Sequence, residues 1–151
     1  MKKAFSLLEI IFVLVIIALI FTFAIRNNQA FFSNSTMIKI KSDVALIRSA
    51  IASKVHARML KAQEQFPQRL DDAALNTEGA LLFSGIKGEK LLDYPLVSTS
   101  SYERQIGQWS KKTQKSYEVW INKEESVQFT YDSNKGTFEC DYTQNSCKEV
   151  D

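Results

Sequence analysis

Residues Phe5 to Ile25 read FSLLEIIFVLVIIALIFTFAI and carry a single charge, Glu9. As a helix rising 1.5 Å per residue, this stretch reaches about 30 Å, the thickness of a bilayer's hydrocarbon core. A helix pairs its own backbone N–H and C=O groups and so tolerates lipid. The expectation is therefore a transmembrane helix over residues 5–25. Lys2 and Lys3 would hold the short N-terminal side in the cytoplasm. Apart from Lys2, Lys3 and Glu9, every charge lies from Arg26 onward.

Whole-chain averages conceal this asymmetry. With 45% hydrophobic and 24% charged residues, the composition matches an ordinary soluble protein and describes neither part of the chain. The length, 151 residues, suits one domain plus an anchor. Formal charge is 19 − 17 = +2, and 17 − 16 = +1 from Arg26 onward. That balance is no footprint for non-specific nucleic-acid binding, which needs a clustered basic surface. Arg104, Lys111, Lys112 and Lys115 form the densest basic group in the C-terminal half and are read as a solvated loop and strand edge.

Glu9 has three accounts. Ser6-Leu7-Leu8-Glu9 fits a capping box, in which Glu9 reaches back to the Ser6 N–H. Glu9 can also turn toward water while favouring the positive end of the helix dipole. Or it pairs with an amine, its own chain's or a neighbour's, because a lone carboxylate in an apolar helix is costly.

Lys2-Lys3-Ala4-Phe5-Ser6-Leu7-Leu8-Glu9, followed by the apolar run Ile10–Phe21, resembles the N-terminal signal of type IV prepilins and pseudopilins. The resemblance covers about 25 residues. It implies cleavage by a prepilin peptidase between Ala4 and Phe5, methylation of the new Phe5 amine, and assembly through the helix with Glu9 as the fifth mature residue. The implied partners are other pilin-like subunits, the peptidase, an inner-membrane platform protein and the membrane itself. The implied location is the bacterial inner membrane as a single-pass protein, with the C-terminal domain in the periplasm or outside the cell. Two features depart from the family pattern. Ala4 stands where Gly is usual, and no Pro or Gly interrupts the helix before Pro67.

Beyond the anchor, Ile40, Val44, Ile47, Ile51, Val55 and Met59 recur at three- and four-residue intervals, one apolar face of a helix. That helix should run from about Ser35 to Gln65 and stop near Phe66-Pro67. Tyr117–Ile121, Val127–Tyr131 and Phe138–Tyr142 alternate apolar and polar residues, with Trp120 out of phase. Asn122–Glu125 and Asp132–Gly136 supply the turns, giving an antiparallel meander. Leu81-Leu82-Phe83 and Leu91-Leu92 mark short buried pieces in a stretch that is otherwise hard to assign.

The expected fold class is α+β. A long N-terminal helix, transmembrane in its first half and amphipathic in its second, packs on a C-terminal antiparallel β-meander, the layout of pilin globular domains. The expected divisions are a leader at 1–4, a transmembrane helix at 5–25, an amphipathic continuation at 26–66 and a globular region at 67–151.

Cys140 and Cys147 are the two cysteines. In an exported protein so close a pair reads as a disulfide; two free thiols is the other account. Two Cys and a distant His56 do not make a tetrahedral zinc site. Asp132–Gly136 begins like a calcium loop but lacks the glycine at the sixth position and the acid at the twelfth, so it reads as a turn. No phosphate loop, nucleophile elbow or metal-binding helix is present, so no enzyme activity and no cofactor are expected. The expected function is a structural subunit of a type II secretion, competence or type IV pilus system. A near-neutral domain leans toward a minor pseudopilin. The alternative is a non-polymerising, anchored periplasmic interaction domain.

Overall fold

The computed structural model describes residues 7–62, 66–86 and 88–151, without the side chains of residues 23–33. Its first element is the helix α1 (Leu7–Met59). The chain divides into two compact units, Met1–Ser35 and Thr36–Asp151, and α1 contributes to both.

In the first unit, residues 7–22 are helical, and apart from Glu9 and Thr22 they are apolar. The expected transmembrane half is overturned here: among the described residues no helix is long and apolar enough to cross a membrane. The described apolar stretch reaches about 24 Å, short of the roughly 30 Å a bilayer core demands. The single-pass inner-membrane placement is corrected with it. The fold class that included a membrane-spanning half is corrected too, to a helix followed by a sheet-rich C-terminal region.

In the second unit, α1 turns Ile40, Val44, Ile47 and Ile51 into the core. Val55 is partly buried against that core, whereas Met59 is 60% exposed. The apolar stripe thus ends before the helix does. The helix also stops short of Gln65. Leu60, Lys61 and Ala62 N–H groups bond back to His56, Arg58 and Met59 carbonyls, and Ala62 takes a left-handed φ of 54°. A left-handed residue just past the last turn is a common helix stop.

The stripe packs in one core with an antiparallel sheet of four strands in sequential order. These are β5 (Trp109–Lys111), β6 (Ser116–Trp120), β7 (Ser126–Asp132) and β8 (Thr137–Cys140). Register places Tyr117 opposite Phe129, Val119 opposite Val127 and Tyr131 opposite Phe138. Side chains alternate faces along a strand, so Tyr117 and Val119 share the core side with Val127, Phe129 and Phe138. Trp120, out of phase in the sequence, lies on the other face. It is buried there because the Arg104 guanidinium sits 5.1 Å from its ring centre. β6 is therefore covered on both sides, which removes the alternation expected of a half-exposed strand.

Two short strand pairs and a short helix complete the unit. β1 (Leu81–Leu82) pairs with β4 (Leu96–Val97), and β2 (Gly85–Ile86) pairs with β3 (Glu89–Lys90). A short helix, α2 (Cys147–Val150), follows the sheet. Gly85 permits the β2–β3 hairpin: its φ is +90°, and a Cβ there would fall 1.9 Å from the Glu89 carbonyl oxygen.

Loop, sheet and hairpin meet at a buried charge pair. Lys111 and Asp71 side chains are both 0% exposed, with Nζ 2.6 Å from Oδ1. Lys111 donates further to the Asp71 and Ala73 carbonyls. The Asp71 carboxylate also accepts the Ala73 and Phe83 N–H groups and the Tyr117 hydroxyl. Each charge is thus hydrogen-bonded on several sides, the condition under which a buried ion pair persists. Lys111 is accordingly not part of a solvated basic group. The Phe83 N–H bond to Asp71 also offsets an uncommon left-handed φ of 57° at that residue. Burial pushes the Tyr117 phenol above its usual range, aided by the adjacent Asp71 carboxylate.

Removing one partner strands a buried charge. Asp71→Ala is expected to cost about 3–5 kcal/mol. The exposed neighbour Asp72→Ala should cost less than about 1 kcal/mol. Urea unfolding followed by tryptophan fluorescence compares the two; equal midpoints would reject the role given to Asp71.

Candidate functional site

Two places collect the residues singled out by the sequence. The first is the start of α1. Ala4 and Phe5, the cleavage and methylation positions, lie outside the described residues, as does Ser6 of the capping box. Glu9 lies in the first described turn of α1. It is exposed and, among the described residues, has no ion pair. From Leu7 to Phe21 the helix has no polar side chain other than Glu9. Exposed apolar side chains run from Leu7, 76% exposed, through Phe12 and Leu14 to Phe21, and even Ile16 is 40% exposed. Thr22 returns its hydroxyl to the Ala18 carbonyl at 2.7 Å, which masks its polar group within the helix. A helix that is apolar all round belongs in contact with other apolar surface. The surface offered is thus a cylinder of Leu, Ile, Val and Phe with one carboxylate near its N-terminal end.

The second place is the C-terminal clasp. Cys140 ends β8 and Cys147 begins α2, and the fold brings them together as a disulfide with Cα atoms 5.9 Å apart. Both lie in the core with Val150. The Asp141 N–H bonds the Gln128 carbonyl, and the Gln144 side chain accepts the Gln128 N–H, so the segment after β8 is stitched to β7. Asp151 pairs with Arg48 of α1 and accepts the Tyr142 hydroxyl. Arg48 Nε donates to the Phe138 carbonyl at 2.8 Å, capping an outward-facing group of the edge strand β8. Hydrogen bonds from Arg48 and Tyr142 hold the Asp151 carboxyl below the usual carboxylate range, against the opposing effect of burial.

The remaining candidates are dispersed. His56 is exposed on α1. Asp132 bonds the Asn134 N–H through its carboxylate and the Gly136 N–H through its carbonyl, closing the β7–β8 turn. Among the described residues, no three His, Cys, Asp or Glu side chains are placed to hold a metal ion. Sequence reasoning missed the Arg48–Asp151–Tyr142 contacts, whose partners lie far apart in the chain and carry no periodic signal. No protein-family model matches the chain, no curated protein matches it, and no solved structure matches it.

The clasp predicts a measurable loss. Closing a short loop in the unfolded chain is worth about 2–3 kcal/mol on the chain-entropy model. Cys147→Ser should lower stability by about that amount, read from urea midpoints of oxidised wild type and variant. Quantitative thiol labelling of the denatured, unreduced wild type should find no free thiol; two would remove the clasp.

Proposed function

We propose that this chain is a structural subunit of a pilin-like assembly, matured by a prepilin peptidase and joined to its neighbours through the apolar start of α1. The observation that carries this reading is the all-round apolar exposure of Ile10–Phe21 directly after the Lys-Lys-Ala-Phe-Ser-Leu-Leu-Glu block. Side-by-side packing of such helices removes that surface from water, at about 25 cal/mol for each Å² buried. The near-neutral charge from Arg26 onward, 17 − 16 = +1, is compatible with dense packing of the C-terminal domains. It suits a minor subunit of a short pseudopilus, as in type II secretion or competence systems, with other pilin-like subunits as partners.

Cleavage between Ala4 and Phe5 removes Lys2 and Lys3 and creates an amine at Phe5. In a bundle of apolar helices, Glu9 of one subunit would pair with that amine of the next. The pair offsets the cost of placing either charge in apolar surroundings. Each subunit offers an amine and a carboxylate, so the contact repeats head to tail along a filament.

Intact-mass measurement on protein from its native cell tests the maturation step. The expected mass corresponds to a chain beginning at N-methylated Phe5; a retained Met1 overturns the proposal. Glu9 tests the assembly step. Glu9→Ala should be processed normally yet fail to enter filaments, because the unpaired amine costs about 3–5 kcal/mol. Glu9→Gln separates charge from capping: a helix cap tolerates Gln, a charge pair does not. Wild-type incorporation of both variants, measured in sheared filament fractions, would reject the pairing.

A further inference from the structure

The Lys111–Asp71 pair holds its groups in an arrangement that an ion pair alone does not require. Nζ lies 2.6 Å from Oδ1, and neither side chain is exposed to water. The two carboxylate oxygens have different surroundings. Oδ1 faces the lysine and the Ala73 N–H. Oδ2 accepts two neutral donors, the Phe83 N–H at 2.9 Å and the Tyr117 hydroxyl at 2.8 Å. Lys111 stands opposite Tyr117 in register, so amine and hydroxyl reach the carboxylate from neighbouring strands. The Phe83 ring lies 4.5 Å from that of Tyr117 and 5.8 Å from that of Trp109, which makes these surroundings aromatic. Stability alone does not call for a buried ion pair, because well-packed apolar side chains of similar volume often serve as well or better. The arrangement supplies something else: a nitrogen held against a carboxyl group, two donors on the far oxygen, and no bulk water.

We propose that Lys111 and Asp71 condense to an amide, a covalent cross-link between Nζ and Cγ. The ion pair is the state from which the bond forms. One proton of the ammonium passes to Oδ1 along the 2.6 Å hydrogen bond, leaving a neutral amine beside a carboxylic acid. The nitrogen lone pair attacks Cγ, and negative charge gathers on Oδ2, which the Phe83 N–H and the Tyr117 hydroxyl already hold. Donors fixed where charge develops are the largest source of stabilisation in acyl transfer. A second proton from nitrogen reaches Oδ1, the Cγ–Oδ1 bond breaks, and water leaves. The third hydrogen stays on the amide nitrogen. Ammonium plus carboxylate thus becomes amide plus one water, with no oxidant, reductant or other reactant. Burial pushes the Tyr117 phenol above its usual range, so it stays protonated and remains a donor throughout. Reactants held in contact behave as if present at about 100,000 M or more. A site closed to bulk water also protects the product from hydrolysis. In the product Oδ2 keeps both donors, and the amide N–H can donate to the Ala73 carbonyl that Lys111 already bonds. The bond ties the segment after α1 to β5 across 40 residues. It uses none of residues 5–21, so this proposal and the assembly reading can fail separately.

Mass spectrometry of the full chain, purified folded and then denatured, is the test. The expected intact mass is one water below that of the same chain without the bond. Trypsin should fail to cut after Lys111, and tandem spectra should show the segment from Gln105 branched at Lys111 to the segment from Leu70. Lys111→Arg, which keeps the charge, and Asp71→Ala should each restore the missing water. Tyr117→Phe, refolded from inclusion bodies alongside wild type, should form the lighter species about a hundredfold more slowly, because one of the two donors on Oδ2 is gone. Circular dichroism reads whether each variant folds, and the wild-type masses decide the matter without them. Three results would each overturn the proposal: unbranched peptides and no missing water in the folded wild type, loss of the same water by Lys111→Arg, or a wild-type rate in Tyr117→Phe.

Discussion

A lysine and an aspartate with no exposure to water, Lys111 and Asp71, sit where the loop after α1, the sheet and the β1–β2 region meet. Each would be costly alone, and together they are tolerable only while every remaining donor and acceptor is matched. The matching comes from the surroundings: the Ala73 carbonyl and N–H, the Phe83 N–H and the Tyr117 hydroxyl. This makes the pair a condition on the fold. The loop must deliver Asp71, β5 must deliver Lys111, and Phe83 must hold a left-handed backbone so that its N–H reaches the carboxylate. The aromatic rings then follow, with Phe83 4.5 Å from Tyr117 and edge-on to Trp109 and Phe138.

The rest of the second unit fastens α1 to this arrangement by polar contacts at the margin of the core. Asp43 accepts Lys39 and the Trp109 indole N–H, and Lys39 also donates to the Gly107 carbonyl. Arg48 joins the helix to β8 and to the C-terminal clasp. These contacts set the rotation of the helix that the buried stripe of Ile40, Val44, Ile47 and Ile51 requires. Apolar burial is non-directional and would accept neighbouring rotations, whereas a hydrogen bond from Trp109 to Asp43 accepts few. In the first unit, residues Leu7 to Phe21 carry a different surface. Apart from Glu9 they are apolar and exposed on all sides, in contrast to the one-sided stripe of the same helix in the second unit.

The stripe on α1 and the strands β6, β7 and β8 were legible because burial on one face imposes a period, 3.6 in a helix and 2 in a strand. The turns after β6 and β7 were legible from their Asn, Asp and Gly content. β5 was not, because Trp109, Ser110 and Lys111 are all buried and no alternation survives. The two small strand pairs were not, because two-residue strands are too short to show a period. Trp120 looked like an exception to its strand until the loop bearing Arg104 was seen to cover it.

Taken alone, the sequence determined where apolar surface is concentrated, which segments alternate, and that two cysteines stand close enough in the chain to meet. These are local properties, carried by neighbours within one or two turns. Only the tertiary structure decided that Lys111 is buried rather than solvated, and that Asp71 is its partner across 40 residues. It alone decided that Arg48 and Asp151 close the C-terminal end, and that Lys54, Arg58 and Arg69 share one surface. It also decided that the described apolar helix falls short of a membrane span, which the uninterrupted run from Phe5 to Ile25 had suggested. The reason is the same in each case. The free energy of a charge or an apolar surface depends on what surrounds it in space, and no period in the chain encodes surroundings that arrive from distant segments.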